Sequence, residues 1–122
     1  MTSLAGKRVL LVEDEPVVAM HIEDMLLDLG CDVIGPCPRL SAGLEAARLE
    51  YFEVAVLDVN LNGEESYPVA EVLHDRSIPF IFATGFGERK TVFPEVPTLT
   101  KPYGSDQLEA ALLQALASMD RT

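Results

Sequence analysis

The chain has 122 residues, 48% of them hydrophobic, which is enough for one ordinary domain with a sizeable core. Its formal charge of −11 argues against a nucleic-acid binder, which needs a basic face, and suits a protein that meets cations or basic protein patches. No apolar stretch could span a membrane, and the run after Lys7 and Arg8 is stopped by Glu13 too soon for a signal peptide, so the expected location is cytoplasmic.

RVLLV (8–12) opens the chain of elements as a short apolar strand and runs directly into Glu13, Asp14, Glu15 and Pro16. Pro16 fits the first turn of a helix whose inner face is Val18, Ile22, Met25 and Leu29, and Gly30 ends it. DVIGP (32–36) is the second strand. Ser41 is placed to cap a second helix, with Leu40, Leu44, Ala47 and Tyr51 near one stripe. VAVLD (54–58) is the third strand, followed by a helix from about Pro68 to Arg76 that turns Val69, Val72 and Leu73 inward. PFIFAT (79–84) is the fourth strand, after which GERKTVFPEV leaves room for two helical turns at most before Pro94. PTLT (97–100) is the fifth. A last helix from Ser105 or Asp106 faces Leu108, Leu112, Ala115 and Met119 to the core. Cys31 and Cys37 are expected as reduced, packed thiols.

The strand runs are short, rich in Val, Ile and Phe, and mostly not alternating, as strands buried on both faces should be. Alternation with helices predicts an α/β fold: a doubly wound, five-stranded parallel sheet. In such sheets functional residues gather at the carboxyl ends of the strands. Glu13 and Asp14 stand at the end of the first, Asp58 of the third and Thr84 of the fourth, and Lys101-Pro102 follows the fifth. Three carboxylates, a hydroxyl and an ammonium converge if the fold is right. Oxygen-only ligands suit a hard cation such as Mg²⁺, which would make the crowded acids tolerable. Glu15 is expected to be merely solvated.

This ordered set, on a fivefold strand–helix pattern running from about Arg8 to Leu116, resembles the receiver domain of two-component response regulators. The stretch PFIFATGF (79–86) is similar to a receiver subgroup that carries Pro-Phe-x-Phe-Ala-Thr-Gly-Tyr there, with Phe86 in place of the tyrosine. The resemblance implies a flavodoxin-like (βα)5 fold with strand order 2-1-3-4-5. It implies that Asp58 accepts a phosphoryl group from a histidine kinase or phosphotransferase. Mg²⁺ would be held by Asp14, Asp58 and the backbone carbonyl of Asn60, with Glu13 acting through water. Lys101 and Thr84 would contact the phosphoryl oxygens, and the Lys101-Pro102 bond is expected cis.

Rival readings fall behind. DVNLNG (58–63) imitates a calcium loop, but its twelfth position is Val69, where calcium needs a glutamate. Asn62-Gly63 is more simply a tight turn. A magnesium-dependent aspartate-nucleophile phosphohydrolase of the haloacid-dehalogenase type needs a second aspartate at position 60, which is Asn60. A flavodoxin-like nucleotide binder needs a phosphate cradle after the first strand, where EDEP repels phosphate. His21 and His74 are expected as ordinary helix residues.

The chain also departs from the family. Thr98 stands where many receivers carry an inward-turning aromatic, so Phe86 is the alternative switch candidate. Only sixteen residues separate Thr84 from Lys101, which predicts a short or irregular fourth helix. Asn60 and Phe86 flank the path of hydrolytic water, and a bulky Phe86 predicts a long-lived phosphoryl state. The expectation is one receiver domain over 1–122, core about 8–117, switching protein–protein binding. A phosphate shuttle or sink, a receiver excised from a hybrid kinase, and homodimerisation all stay open.

Overall fold

In the computed structural model the described residues are 4–85, 93 and 95–119. β1 (Arg8–Val12) is followed by α1 (Pro16–Asp28), β2 (Asp32–Cys37), α2 (Leu40–Leu49) and β3 (Val54–Asp58). A hairpin of β4 (Asn60–Leu61) and β5 (Glu64–Glu65) precedes α3 (Tyr67–Asp75), β6 (Phe80–Thr84), β7 (Thr98–Thr100) and α4 (Ser105–Met119). The main sheet is parallel throughout, in the order β2-β1-β3-β6-β7. With the hairpin set apart, that is the expected order 2-1-3-4-5 of a doubly wound, flavodoxin-like sheet. Among the described residues no helix is long and apolar enough to cross a membrane.

Every residue of β3 and β6 is buried, because helices cover both faces of the sheet. Side chains alternate between two cores. Leu11, Val56 and Ile81 pack with Ile22, Leu26, Leu108 and Leu112 beneath α1 and α4. Leu10, Leu57, Phe80 and Phe82 pack with Ala47, Val69 and Leu73 beneath α2 and α3. Tyr67 meets the Phe82 ring edge-on at 5.7 Å, and Phe93 meets Phe80 edge-on at 5.4 Å. Cys31 and Cys37 are both buried and free, as expected.

β2 lies at the sheet edge, and its pairing with β1 slips between Leu10 and Val12. Gly35 sits at this slip with φ +102°, and a Cβ there would lie 2.7 Å from both the Leu11 carbonyl oxygen and the Cys37 nitrogen. Only glycine fits.

Two expectations about α2 need correction. The helix begins at Leu40, with Arg39 rather than Ser41 at the N-cap position and no side-chain cap. Its buried face is Gly43, Ala46 and Ala47, not a stripe through Tyr51, which lies beyond the helix and is exposed. Small residues explain the difference. A Cβ on Gly43 would be 3.2 Å from Val12 Cγ1, so the helix rides close on the sheet and larger side chains such as Leu44 go to its flank. The predicted fourth helix and Phe86 lie outside the described residues, as does the side chain of Met119.

Candidate functional site

The parallel sheet brings the ends of β1, β3 and β6 side by side. Leu57 pairs with both Val12 and Phe82, and Asp58 pairs with Ala83. Each next residue therefore leaves the sheet at the same edge. Backbone bonds hold these exits: Glu13 N–H donates to the Cys37 carbonyl at 3.0 Å, Val59 N–H to Ala83 at 3.1 Å, and Lys101 N–H to Thr84 at 2.9 Å.

Glu13, Asp58 and Thr84 are all buried, at 2%, 5% and 3% exposure. Lys101 follows β7 on a cis peptide bond to Pro102, as expected. Its ammonium lies 2.9 Å from Glu13 Oε1 and 3.3 Å from Asp58 Oδ2. Glu13, Asp14 and Asp58 each offer a carboxylate oxygen, and the three oxygens lie within 4.8 Å of one another. Glu15 points to solvent, while its N–H donates to Glu13 Oε2 at 3.3 Å.

Electrostatics follow from this crowding. Burial, then the hydrogen bond and charge of Glu13, push Asp58 up from 3.8 to about 8, against the opposing pull of Lys101. Burial works against the Lys101 ammonium as well, but Glu13 and Asp58 outweigh it and raise its pKa. Among the described residues, one cation thus serves two buried carboxylates, and the site is short of positive charge.

The hairpin shapes the approach to Asp58. Asn62 and Gly63 take φ of +55° and +93°, both positive, as a two-residue hairpin turn requires. Asn60 N–H donates to Asp58 Oδ1 at 3.3 Å, and Asn60 Oδ1 accepts from Gly63 N–H at 2.8 Å. The Asn60 side chain, expected to flank the path of hydrolytic water, therefore has its amide oxygen engaged by the turn. Sequence reasoning found the turn and missed the strands around it, because two residues are too few to show a period.

The acids at the ends of β1 and β3, Thr84 and Lys101 are thus gathered at one strand-end edge. Phe86 lies outside the described residues. Tyr103 was missed: it is 7% exposed, in the core beside Ile22, Met25 and Leu108. Its only signal was an aromatic closely following Lys101-Pro102. His21 is solvent-facing, but it lines a cavity of about 230 Å³ together with Lys101 and Tyr103, nearer the site than helix position alone implied.

No protein-family model matches the chain. The solution structure of SdrG from Sphingomonas melonis Fr1 matches at 39% identity with a TM-score of 0.80, covering 95% of this chain and 99% of that one. The PhyR response regulator REC domain of Erythrobacter litoralis matches at 28% identity and TM-score 0.79, covering 93% and 92%. The chain belongs to the response-regulator receiver domains. The receiver domain is also 32% identical over 114 residues to the phyllosphere-induced regulator PhyR of Methylorubrum extorquens, covering 88% of this chain and 43% of that one. It spans about half the length of the curated relatives it matches. As a receiver domain it carries an acidic cluster that could hold a metal ion.

Proposed function

We propose that Asp58 is the phosphoacceptor of this receiver domain, taking a phosphoryl group from a phosphohistidine of a histidine kinase or phosphotransferase and thereby switching protein–protein binding. The observation that carries this is the Lys101 ammonium held between Glu13 and Asp58 at the strand ends, 2.9 and 3.3 Å away. An Asp58 oxygen forms the new bond to phosphorus while the bond from phosphorus to the donor imidazole breaks, its electron pair leaving with the nitrogen. Lys101, already within reach, then pairs with a phosphoryl oxygen, and Thr84, ending the adjacent strand, supplies a hydroxyl on the other side.

The donor set fits Mg²⁺. Among the described residues it is oxygen-only, one oxygen of each of three carboxylates lies within 4.8 Å of the others, and the Lys101 ammonium still leaves Asp58 pushed up to about 8. Asp14, Asp58 and the Asn60 carbonyl would hold the ion, with Glu13 acting through water. When bound, it neutralises charge on the transferred oxygens. Asp58 in its acid form is a poor nucleophile, so anything that holds it ionised at neutral pH favours the transfer.

The test is incubation with Mg²⁺ and acetyl phosphate, followed by intact mass, with Asp58→Ala alongside. A single phosphoryl adduct that needs both Mg²⁺ and Asp58 is expected. An adduct that persists in Asp58→Ala would move the acceptor elsewhere.

A further inference from the structure

Tyr103 carries a phenol where an apolar ring would fill the same space. It belongs to the same buried core cluster as Ile22, Met25, Leu108 and Leu112. Buried tyrosine hydroxyls usually find a partner, because a desolvated donor left unpaired costs stability. Here the Tyr103 hydroxyl is buried and makes no hydrogen bond to the described residues. A second buried atom, an acceptor, is in the same condition. Glu13 Oε1 is paired with the Lys101 charge at 2.9 Å, yet it accepts no hydrogen bond of normal geometry.

Lys101 connects the two groups, pairing with Glu13 and lining one cavity with Tyr103. Tyr103 and Lys101 are separated only by Pro102, and both line the small cavity against α1. Burial, then the negative charges of Glu13 and Asp58, raise the pKa of the phenol, so the hydroxyl keeps its proton and can donate it to a carboxylate. When Lys101 is drawn away, the Glu13 oxygen it leaves needs a donor, since a buried acceptor left unpaired is costly.

We infer that the Tyr103 hydroxyl is the reserve hydrogen-bond donor to Glu13, taking over the carboxylate when the Lys101 ammonium leaves it. Under the proposed function, on which the natural trigger rests, a phosphoryl group on Asp58 draws Lys101 away. Tyr103 is then a positioning residue. It holds Glu13 in place after the ammonium has gone and makes the release of Lys101 less costly.

The chain has three tyrosines and no tryptophan, so near-ultraviolet absorbance reports the phenols directly. A phenol that donates to a carboxylate absorbs further to the red. Lys101→Met removes the ammonium without phosphorylation. Recorded on the alkaline side of the carboxylate range, it is expected to show a red-shifted tyrosine band that disappears in Lys101→Met/Tyr103→Phe. The same band is expected in the wild type after acetyl phosphate and Mg²⁺, with the adduct followed by mass. Unmodified Tyr103→Phe is expected to unfold at a midpoint no lower than the wild type, because the deleted hydroxyl was unpaired.

A phosphoryl adduct without the band overturns this inference and leaves the proposed function standing. A band in Lys101→Met without any adduct supports the exchange while the function fails. If Lys101→Met does not fold, the phosphorylated wild type and the Tyr103→Phe midpoint still decide. A lowered midpoint means that the hydroxyl is already bonded, which overturns the inference.

Discussion

Glu13 and Lys101 come from opposite ends of the chain, one following the first strand and the other following the last of the main sheet, and they meet at 2.9 Å. Lys101 thereby sits closer to Glu13 than to Asp58, which it approaches at 3.3 Å. The cation is shared between the two carboxylates. That sharing governs how the domain should respond to pH, metal and mutation.

Metal-free stability should fall as pH rises. The Asp58 carboxyl goes from 3.8 to about 8 on folding, so between these values the folded state binds more protons than the unfolded one. Stability is then full below 3.8 and is lost progressively up to about 8. Denaturant midpoints measured across this window in chelator are expected to decline, and saturating Mg²⁺ should remove the decline. An upward slope in chelator would contradict the crowded-acid picture.

Asp58→Asn removes one of two buried carboxylates and lets Lys101 pair with Glu13 alone. We expect the variant, metal-free and above neutral pH, to be more stable than the wild type by on the order of 1 kcal/mol, a rise of a few degrees in Tm. Its pH dependence should be flatter. Calorimetry in chelator checks both, and a lowered Tm would mean that Asp58 stabilises the resting domain.

The hairpin turn provides a probe of the Asn60 carbonyl that leaves the carboxylates alone. A Cβ on Gly63 meets nothing within 4 Å, so Gly63→Ala charges only the backbone for φ +93°. A loss of about 1 kcal/mol is expected, with weaker Mg²⁺ binding by titration because Asn60 shifts. Gly35→Ala, whose Cβ would meet backbone at 2.7 Å, should destabilise more while leaving the hairpin untouched.

Phe82 is fully buried and touches the rings of Tyr67, Phe80 and Phe93. Phe82→Ala should cost about 3–5 kcal/mol through the cavity it leaves. Urea unfolding measures this. A cost below about 1 kcal/mol would mean that the aromatic cluster collapses into the space.

Much of this was legible from residue order. Apolar runs without alternation announced strands buried on both faces, because burial on two sides removes the need for a polar face. Acids, threonine and lysine immediately after those runs could only lie at the carboxyl edge once the strands were parallel. The start of α2 was misread because Ser41 is a good cap by type, whereas the approach of Gly43 to Val12 sets where the helix lies. Periodicity is silent on two-residue strands, so the hairpin around Asn62-Gly63 appeared only as a turn.

The sequence by itself determined the element order, the apolar faces and which chemical groups stand at the strand ends, since all three depend on neighbours a few residues apart. Only the tertiary structure decided which carboxylate holds Lys101, and that a buried phenol with no hydrogen bond to the described residues feels the charge of Glu13. Those relations join residues distant along the chain. Their distances are set by sheet order and by how closely helices of small residues approach the sheet, and no local pattern carries that information.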